Sequence, residues 1–181
     1  ILHGFDGMTR AAAGSDDPVL AIIVSDESAD YRPEMGWLAG ELRQLGRRAW
    51  MIRSEEVVFS EGGLFIEVRG ERLKLDAVYR FFELFDLKNI PKWELVAYAA
   101  KKRRVTVTPP YKHHLEEKML LALVHHPVLE GFFVETLGCE DYYLLRELVP
   151  RTWILDPRPA PPHAVVADFR FRGQPVQDWR V

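Results

Sequence analysis

Six consecutive apolar residues, Val19–Val24, form an uninterrupted run rich in β-branched side chains. A strand with no polar alternation is one covered on both faces, as in a parallel sheet. The period then changes: Met35, Leu38, Leu42 and Leu45 recur at helical spacing over residues 34–45, with Pro33 at the start and Gly46 as the stop, and the pattern predicts a helix. A short apolar run over 49–52 completes a β–α–β order whose lengths suit a right-handed crossover.

In-and-out alternation over 64–68 and 72–75, punctuated by Gly62, Gly63 and Gly70, predicts a β-hairpin. Residues 77–82 again read as strand, 91–102 as helix, and 105–108 as a strand halted by Pro109 and Pro110. Helices are expected over 115–124, 128–137 and 140–148, the first two separated by Pro127. The fold class expected is α/β: a Rossmann-like, mostly parallel sheet with a β-hairpin insertion and a C-terminal helical linker region.

The flanks are less regular. The chain opens at Ile1, and residues 1–17, with the small run from Ala11 to Ser15, read as a flexible tail without the pattern of a secretory signal. Residues 18–110 form the expected Rossmann-like domain and 111–156 the helical segment. Residues 157–181 read as a proline-rich linker and the start of a truncated second domain, with a strand over 164–171 and a turn over 172–175.

Composition narrows the function classes. Of 181 residues, 48% are hydrophobic and 28% charged, enough for a real core, and the chain falls outside the disordered and disulfide-scaffold classes. Twenty-four basic against 27 acidic residues give a net charge of -3, which disfavours a protein whose main work is neutralising phosphate, so no nucleic acid is expected as partner. No membrane is expected either, since no apolar run approaches the roughly 18–20 residues needed to span one. The single cysteine, Cys139, forms no internal disulfide and points to the cytoplasm.

Ligands of open α/β sheets sit outside the carboxyl ends of the strands, which singles out the loops after Val24, Ile52, Phe82 and Thr108; two regions among them carry pointed chemistry. The first, residues 25–31, carries Asp26, Glu27 and Asp30 with two hydroxyls and no glycine; it suits an amine or a metal better than a pyrophosphate, or else it is a solvated loop capping the helix. In the second, Arg80 interrupts an apolar strand, and a buried charge must be paired. Either it forms an internal ion pair with Glu83 or Asp86, or its fork grips an anionic substrate group.

Other candidates are set aside. Lys101–Arg104 lie where a helix C-terminus attracts cations. The pairs His113, His114 and His125, His126 would stand about 16 Å apart on a helix rising about 1.5 Å per residue, too far for one ion. Cys139 reads as an inert, buried thiol, and Phe132, Phe133, Tyr142 and Tyr143 are spaced like core.

One order of segments carries a resemblance: an α/β unit, then Val105–Tyr111 (VTVTPPY), then Leu115–Leu123 (LEEKMLLAL), helices, and Val149–Pro157 (VPRTWILDP). It resembles the front half of an ATP-grasp ligase, and is most similar to the bacterial glutathionylspermidine synthase-like proteins. There Ala77–Glu83 (AVYRFFE) and residues 109–118 have counterparts, and the likeness covers Val19–Pro157.

The resemblance implies that residues 18–110 are a pre-ATP-grasp domain. It also implies that Lys118, in Glu117-Lys118 where the family more commonly has aspartate and lysine, approaches nucleotide phosphates; otherwise Lys118 belongs to the solvated face of an amphipathic helix. The ATP-binding part, with its phosphate loop and magnesium carboxylates, is expected beyond Val181. The whole protein would be an ATP-dependent ligase joining a small-molecule carboxylate to an amine or thiol through an acyl phosphate, with ATP and Mg as cofactors and none held by this chain alone, which would be inactive. Arg80, Glu83, Asp26 and Glu27 are the substrate-side candidates: Arg80 for a carboxylate, Asp26 or Glu27 for an ammonium. The rivals are a non-catalytic ligand-binding or protein-interaction domain and a nucleic-acid binder acting through Lys101–Arg104.

Overall fold

The computed structural model describes residues 1–152 and the backbone of 170–171 and 174–175. The chain divides into two compact units, residues 1–113 and 114–181. The first is built on a four-stranded parallel sheet of β1 (Val19–Val24), β2 (Arg48–Ile52), β6 (Ala77–Phe81) and β7 (Thr106–Thr108), in the order β2-β1-β6-β7. This is the Rossmann-like α/β arrangement the alternating pattern led us to expect.

All six residues of β1 are buried, because the strand lies centrally with cover on both sides. One face presents Leu20, Ile22 and Val24 to α2 (Arg32–Gln44), which answers with Met35, Leu38, Ala39 and Leu42. The other presents Ala21 and Ile23 to a core that includes Val96 and Ala99 of α3 (Trp93–Lys101). The two helices fall on opposite faces because β1→β2 and β6→β7 step in opposite directions across the sheet, as crossovers of one hand require.

Helix α2 ends at Gly46 (φ 80°), where the Gly46 N–H donates to the Arg43 carbonyl and the Arg47 N–H to that of Leu42, both at 2.9 Å. That pairing is a Schellman motif. It leaves Leu45 exposed at the cap rather than in the buried row.

Between β2 and β6 the hairpin gains a strand. β3 (Val58–Ser60), β4 (Gly63–Val68) and β5 (Glu71–Lys74) form an antiparallel sheet, and Leu64 and Ile66 enter the same core as α3. Arg69 (φ 52°) and Gly70 (φ 84°) make the two-residue loop, both left-handed, as the twist of a tight hairpin demands. β3 escaped the sequence pattern because its three residues are too few to show alternation.

The flexible tail expected over residues 1–17 is instead α1 (Leu2–Ala13), closed by Gly14 in the left-handed conformation. Leu2, Phe5 and Ala13 pack onto the α2 side of the sheet, and the Phe5 ring meets Tyr79 edge-on at 4.9 Å. Asp6, only 8% exposed, accepts from Arg47 at 2.9 and 3.0 Å and pairs with Arg10 at 3.2 Å. The face of β6 needs this cover, and one helix cannot span a four-stranded sheet.

In the second unit the expected helix over 115–124 is shorter: a 3-10 turn at His113–Leu115 precedes α4 (Met119–Val124). α5 (Glu130–Leu137) and α6 (Cys139–Leu148) follow, with Phe133 stacked on Tyr142 at 5.7 Å. Of the four aromatic residues read as core, only Tyr142 is buried; Phe132 is 61% and Tyr143 51% exposed. β8 (Arg170–Phe171) pairs antiparallel with β9 (Gln174–Pro175). The linker over 157–163, most of the strand over 164–171 and most of the segment 149–157 lie outside the described residues. Among the described residues no helix is long and apolar enough to cross a membrane.

Candidate functional site

The order β2-β1-β6-β7 reverses direction between β1 and β6, and the carboxyl ends of these strands face one edge of the sheet. Their register pairs Val24 with Phe81, which sets the loop after β1 beside the loop after β6. Tyr79 pairs with Thr108, so Arg80 lies beside Pro109. This reversal is the crevice where open α/β sheets bind ligands.

Arg80 is 4% exposed and stands on the α3 face of β6, with Val78 and Phe82 as its neighbours in alternation. Its Nε donates to the Pro109 carbonyl at 2.8 Å, one terminal nitrogen to that of Phe82 at 2.7 Å, and the other to that of Pro110 at 3.0 Å. The sequence led us to expect a carboxylate or phosphate partner; three main-chain carbonyls take part in holding the guanidinium. The two prolines explain this. A proline turn offers carbonyls that no strand or helix claims, and the guanidinium fork satisfies them in one piece. Arg80 thus fastens the β7 turn to the end of β6.

Tyr111 completes the cluster. The guanidinium carbon of Arg80 lies 5.9 Å from its ring centre. Burial pushes the phenol up to about 12, against the lowering pull of Arg80, so it stays protonated at neutral pH. Its hydroxyl is buried and has no hydrogen-bond partner among the described residues.

The acidic candidates occupy the exposed rim. Asp26 and Glu27 sit in a turn where the Ser25 hydroxyl accepts from the Ser28 N–H at 3.3 Å and the Asp26 carbonyl from the Ala29 N–H at 3.1 Å. Arg32 donates to the Ser25 carbonyl at 3.2 Å and forms an ion pair with Asp26, so that carboxylate is held by the first residue of α2. Glu83 is exposed at the head of a 3-10 turn over Leu84–Asn89. The register therefore gathers Asp26, Glu27, Arg80 and Glu83 at one edge. Lys118 belongs to the second unit, exposed at the N-cap of α4.

The remaining candidates resolve as local structure. The His125 ring bonds the Val149 carbonyl at 2.8 Å, and His126 Nδ1 accepts from the Val128 N–H at 3.3 Å. Cys139 is exposed at the first residue of α6, not buried as expected, because the glycine before it opens a new helix at the surface. Among the described residues no three histidine, cysteine or carboxylate side chains are gathered to hold a metal.

Sequence reasoning missed two features. Tyr111 was read only as part of a motif, although an aromatic residue following two prolines at a strand end was the available signal. A cleft of about 460 Å³ lies between the end of β2 and the hairpin, lined by Trp50, Met51, Val58, Val68, Glu67 and Arg69 among others. It depends on the strand β3 that the pattern did not show. No protein-family model matches this chain, and no curated protein matches it.

Proposed function

We propose that this chain is the substrate-side domain of an ATP-grasp-type ligase joining a carboxylate to an amine or thiol, with ATP and magnesium bound by a part of the protein beyond residue 181. The observation that supports it best is the pairing of β1 with β6 at the reversal of strand order, which gathers Asp26, Glu27 and Glu83 around the charge of Arg80. Glu27 and Glu83 suit an ammonium group, and the guanidinium, anchored on the proline turn, attracts a substrate carboxylate. Ligation through an acyl phosphate also needs cations on the transferring phosphoryl group, and Lys118 is the residue of this chain assigned to the nucleotide. A cytoplasmic location fits a chain with one cysteine.

The test is a turnover assay on the whole natural protein with magnesium and ATP, screening carboxylic acids against amines and thiols for ADP release. Release that requires both an acid and an amine or thiol supports the reading. In that assay Glu83→Gln should raise KM for the amine and leave KM for ATP unchanged. A whole protein that binds no ATP sinks the proposal. The cleft beside β2, apolar with polar residues at its rim, is the observation that favours the rival ligand-binding domain.

A further inference from the structure

The parallel sheet ends at β2, and among the described residues no strand pairs with its outer edge. Which main-chain groups lie on that edge follows from the register. The Val19 carbonyl accepts from the Asp76 N–H, so Val19, Ala21 and Ile23 turn their main-chain groups towards β6, and Leu20, Ile22 and Val24 turn theirs towards β2. Leu20 and Ile22 are then paired by Arg48, Trp50 and Ile52, which leaves the N–H and C=O of Ala49 and Met51 on the outer edge. Arg43 donates to the Ala49 carbonyl at 2.6 Å and closes the start of that edge; Met51 stays open.

Across the cleft of about 460 Å³, β4 is open in the same way. The Leu64 carbonyl accepts from the Leu75 N–H, so Leu64, Ile66 and Val68 turn their main-chain groups towards β5, and Phe65 and Glu67 turn theirs towards β3. Phe65 meets Val58, the first residue of β3; Glu67 would meet residue 56, but there the chain has left the ladder. The Glu56 N–H donates to the Arg53 carbonyl at 3.1 Å, and the Glu56 carboxylate accepts from the Arg53 N–H at 2.6 Å. Lys92 Nζ donates to the carbonyls of Glu55 and Val57 at 2.5 and 2.7 Å. These contacts tie residues 53–57 into a turn and keep them out of the gap beside Glu67.

We propose that this cleft takes a short extended segment of a partner protein, paired with Met51 on one side and Glu67 on the other, so that the two sheets are joined by β-augmentation. Met51 and Glu67 both line the cleft, and each presents an N–H beside a C=O. A backbone in the strand conformation offers the complementary pair alternately on its two sides; an apolar small molecule would leave both walls desolvated and unpaired. The slot is walled on both sides, so the edge of a folded sheet does not enter it and the occupant is a free segment. The faces agree as well as the edges. Trp50, Ile52, Ile66 and Val68 all belong to the core on the α3 side, while Met51 faces the α2 side and Glu67 is exposed. A bound residue turned towards the first face meets Trp50 and is apolar, and its neighbours in alternation are polar. The walls are residues 50–52 and 66–69, so the bound stretch is about four residues, or about 13 Å of extended chain. None of Asp26, Glu27, Arg80 and Glu83 takes part, so the inference stands apart from the ligase reading.

The experiment is a titration of the isotope-labelled protein, without ATP or substrate, with a capped pentapeptide of alternating valine and threonine, read by amide resonances. The Met51 and Glu67 amides should shift together, with half-saturation below about 1 mM, and should gain at least about fivefold protection from hydrogen exchange. Methylating alternate backbone nitrogens deletes the donors on one side of the peptide and should weaken binding by about tenfold. Glu67→Pro removes the N–H that faces the cleft and none that β5 uses, and should weaken binding by a similar factor, with circular dichroism to check the fold. If that variant does not fold, the methylated peptide tests the same pairing on the native protein. Amides unmoved at about 1 mM peptide, equal binding of the methylated peptide, or protection of both amides that is complete without peptide or rises with protein concentration would each overturn the proposal.

Discussion

The two units use apolar residues in different ways. In residues 1–113 the apolar face of each central strand and helix meets another element, and Ile22, Ile23, Val24 and Leu42 are almost fully buried. In the described helices of the second unit the buried apolar residues are Ala122, Val124 and Tyr142, while Val128, Phe132, Leu144 and Leu148 stand half or more exposed. Apolar spacing tells which face of a helix would be buried; it does not tell whether a partner covers that face. Period therefore located elements in both units but forecast burial well only in the first.

The largest test of this contrast is a pair of truncations. Leu42→Ala, at 1% exposure under the sheet, should cost about 3 kcal/mol through lost transfer energy and the cavity left behind. Leu144→Ala, at 52% exposure, should change stability by less than about 0.5 kcal/mol. Urea denaturation read by circular dichroism measures both. Equal costs would mean that the second unit is packed as tightly as the first.

A smaller effect tests whether α1 belongs to the first unit. Asp6→Ala leaves Arg47 and Arg10 without their shared carboxylate and should lower stability by about 1–2 kcal/mol, less than a fully buried pair because both arginines remain about one-third exposed. A tail lying free of the sheet would register no change in the urea midpoint. Loss of the Phe5 contact by Phe5→Ala should act in the same direction.

What was legible followed from length and period. β1, α2, β2, β6 and α3 announced themselves because each carries a full run of one period, and Gly46 and Pro33 marked the ends of α2. α1 was hidden because Gly4, Gly7 and the small residues before Gly14 look like a flexible segment, although Leu2, Phe5 and Thr9 keep helical spacing. The edge that gathers Asp26, Glu27, Arg80 and Glu83 was legible from strand order alone, since loops after parallel strands share one side. The partners of Arg80 were not. A guanidinium that donates to the carbonyls of two prolines requires knowing that β7 lies beside β6, a pairing across 29 residues that local pattern does not encode.

The finest test compares two buried tyrosine hydroxyls, one from each unit. The Tyr142 hydroxyl donates to the Val124 carbonyl at 3.3 Å, so Tyr142→Phe should cost about 1 kcal/mol. The Tyr111 hydroxyl is buried with no partner among the described residues, so Tyr111→Phe removes a desolvated group and should stabilise by about 1 kcal/mol. Alkaline pH sharpens the difference. The Tyr111 phenol, at 10.0 when unfolded, is pushed up to about 12 in the fold, so between those values the native state holds the proton more tightly. Its contribution is fully present below about pH 10 and is lost as pH rises towards 12, and the native protein should destabilise across that window. Tyr111→Phe deletes this proton, so its stability curve should fall less steeply over the same range. A variant as steep as the native protein would mean that Tyr111 titrates like an exposed phenol and that the proline turn fastened by Arg80 does not shield it.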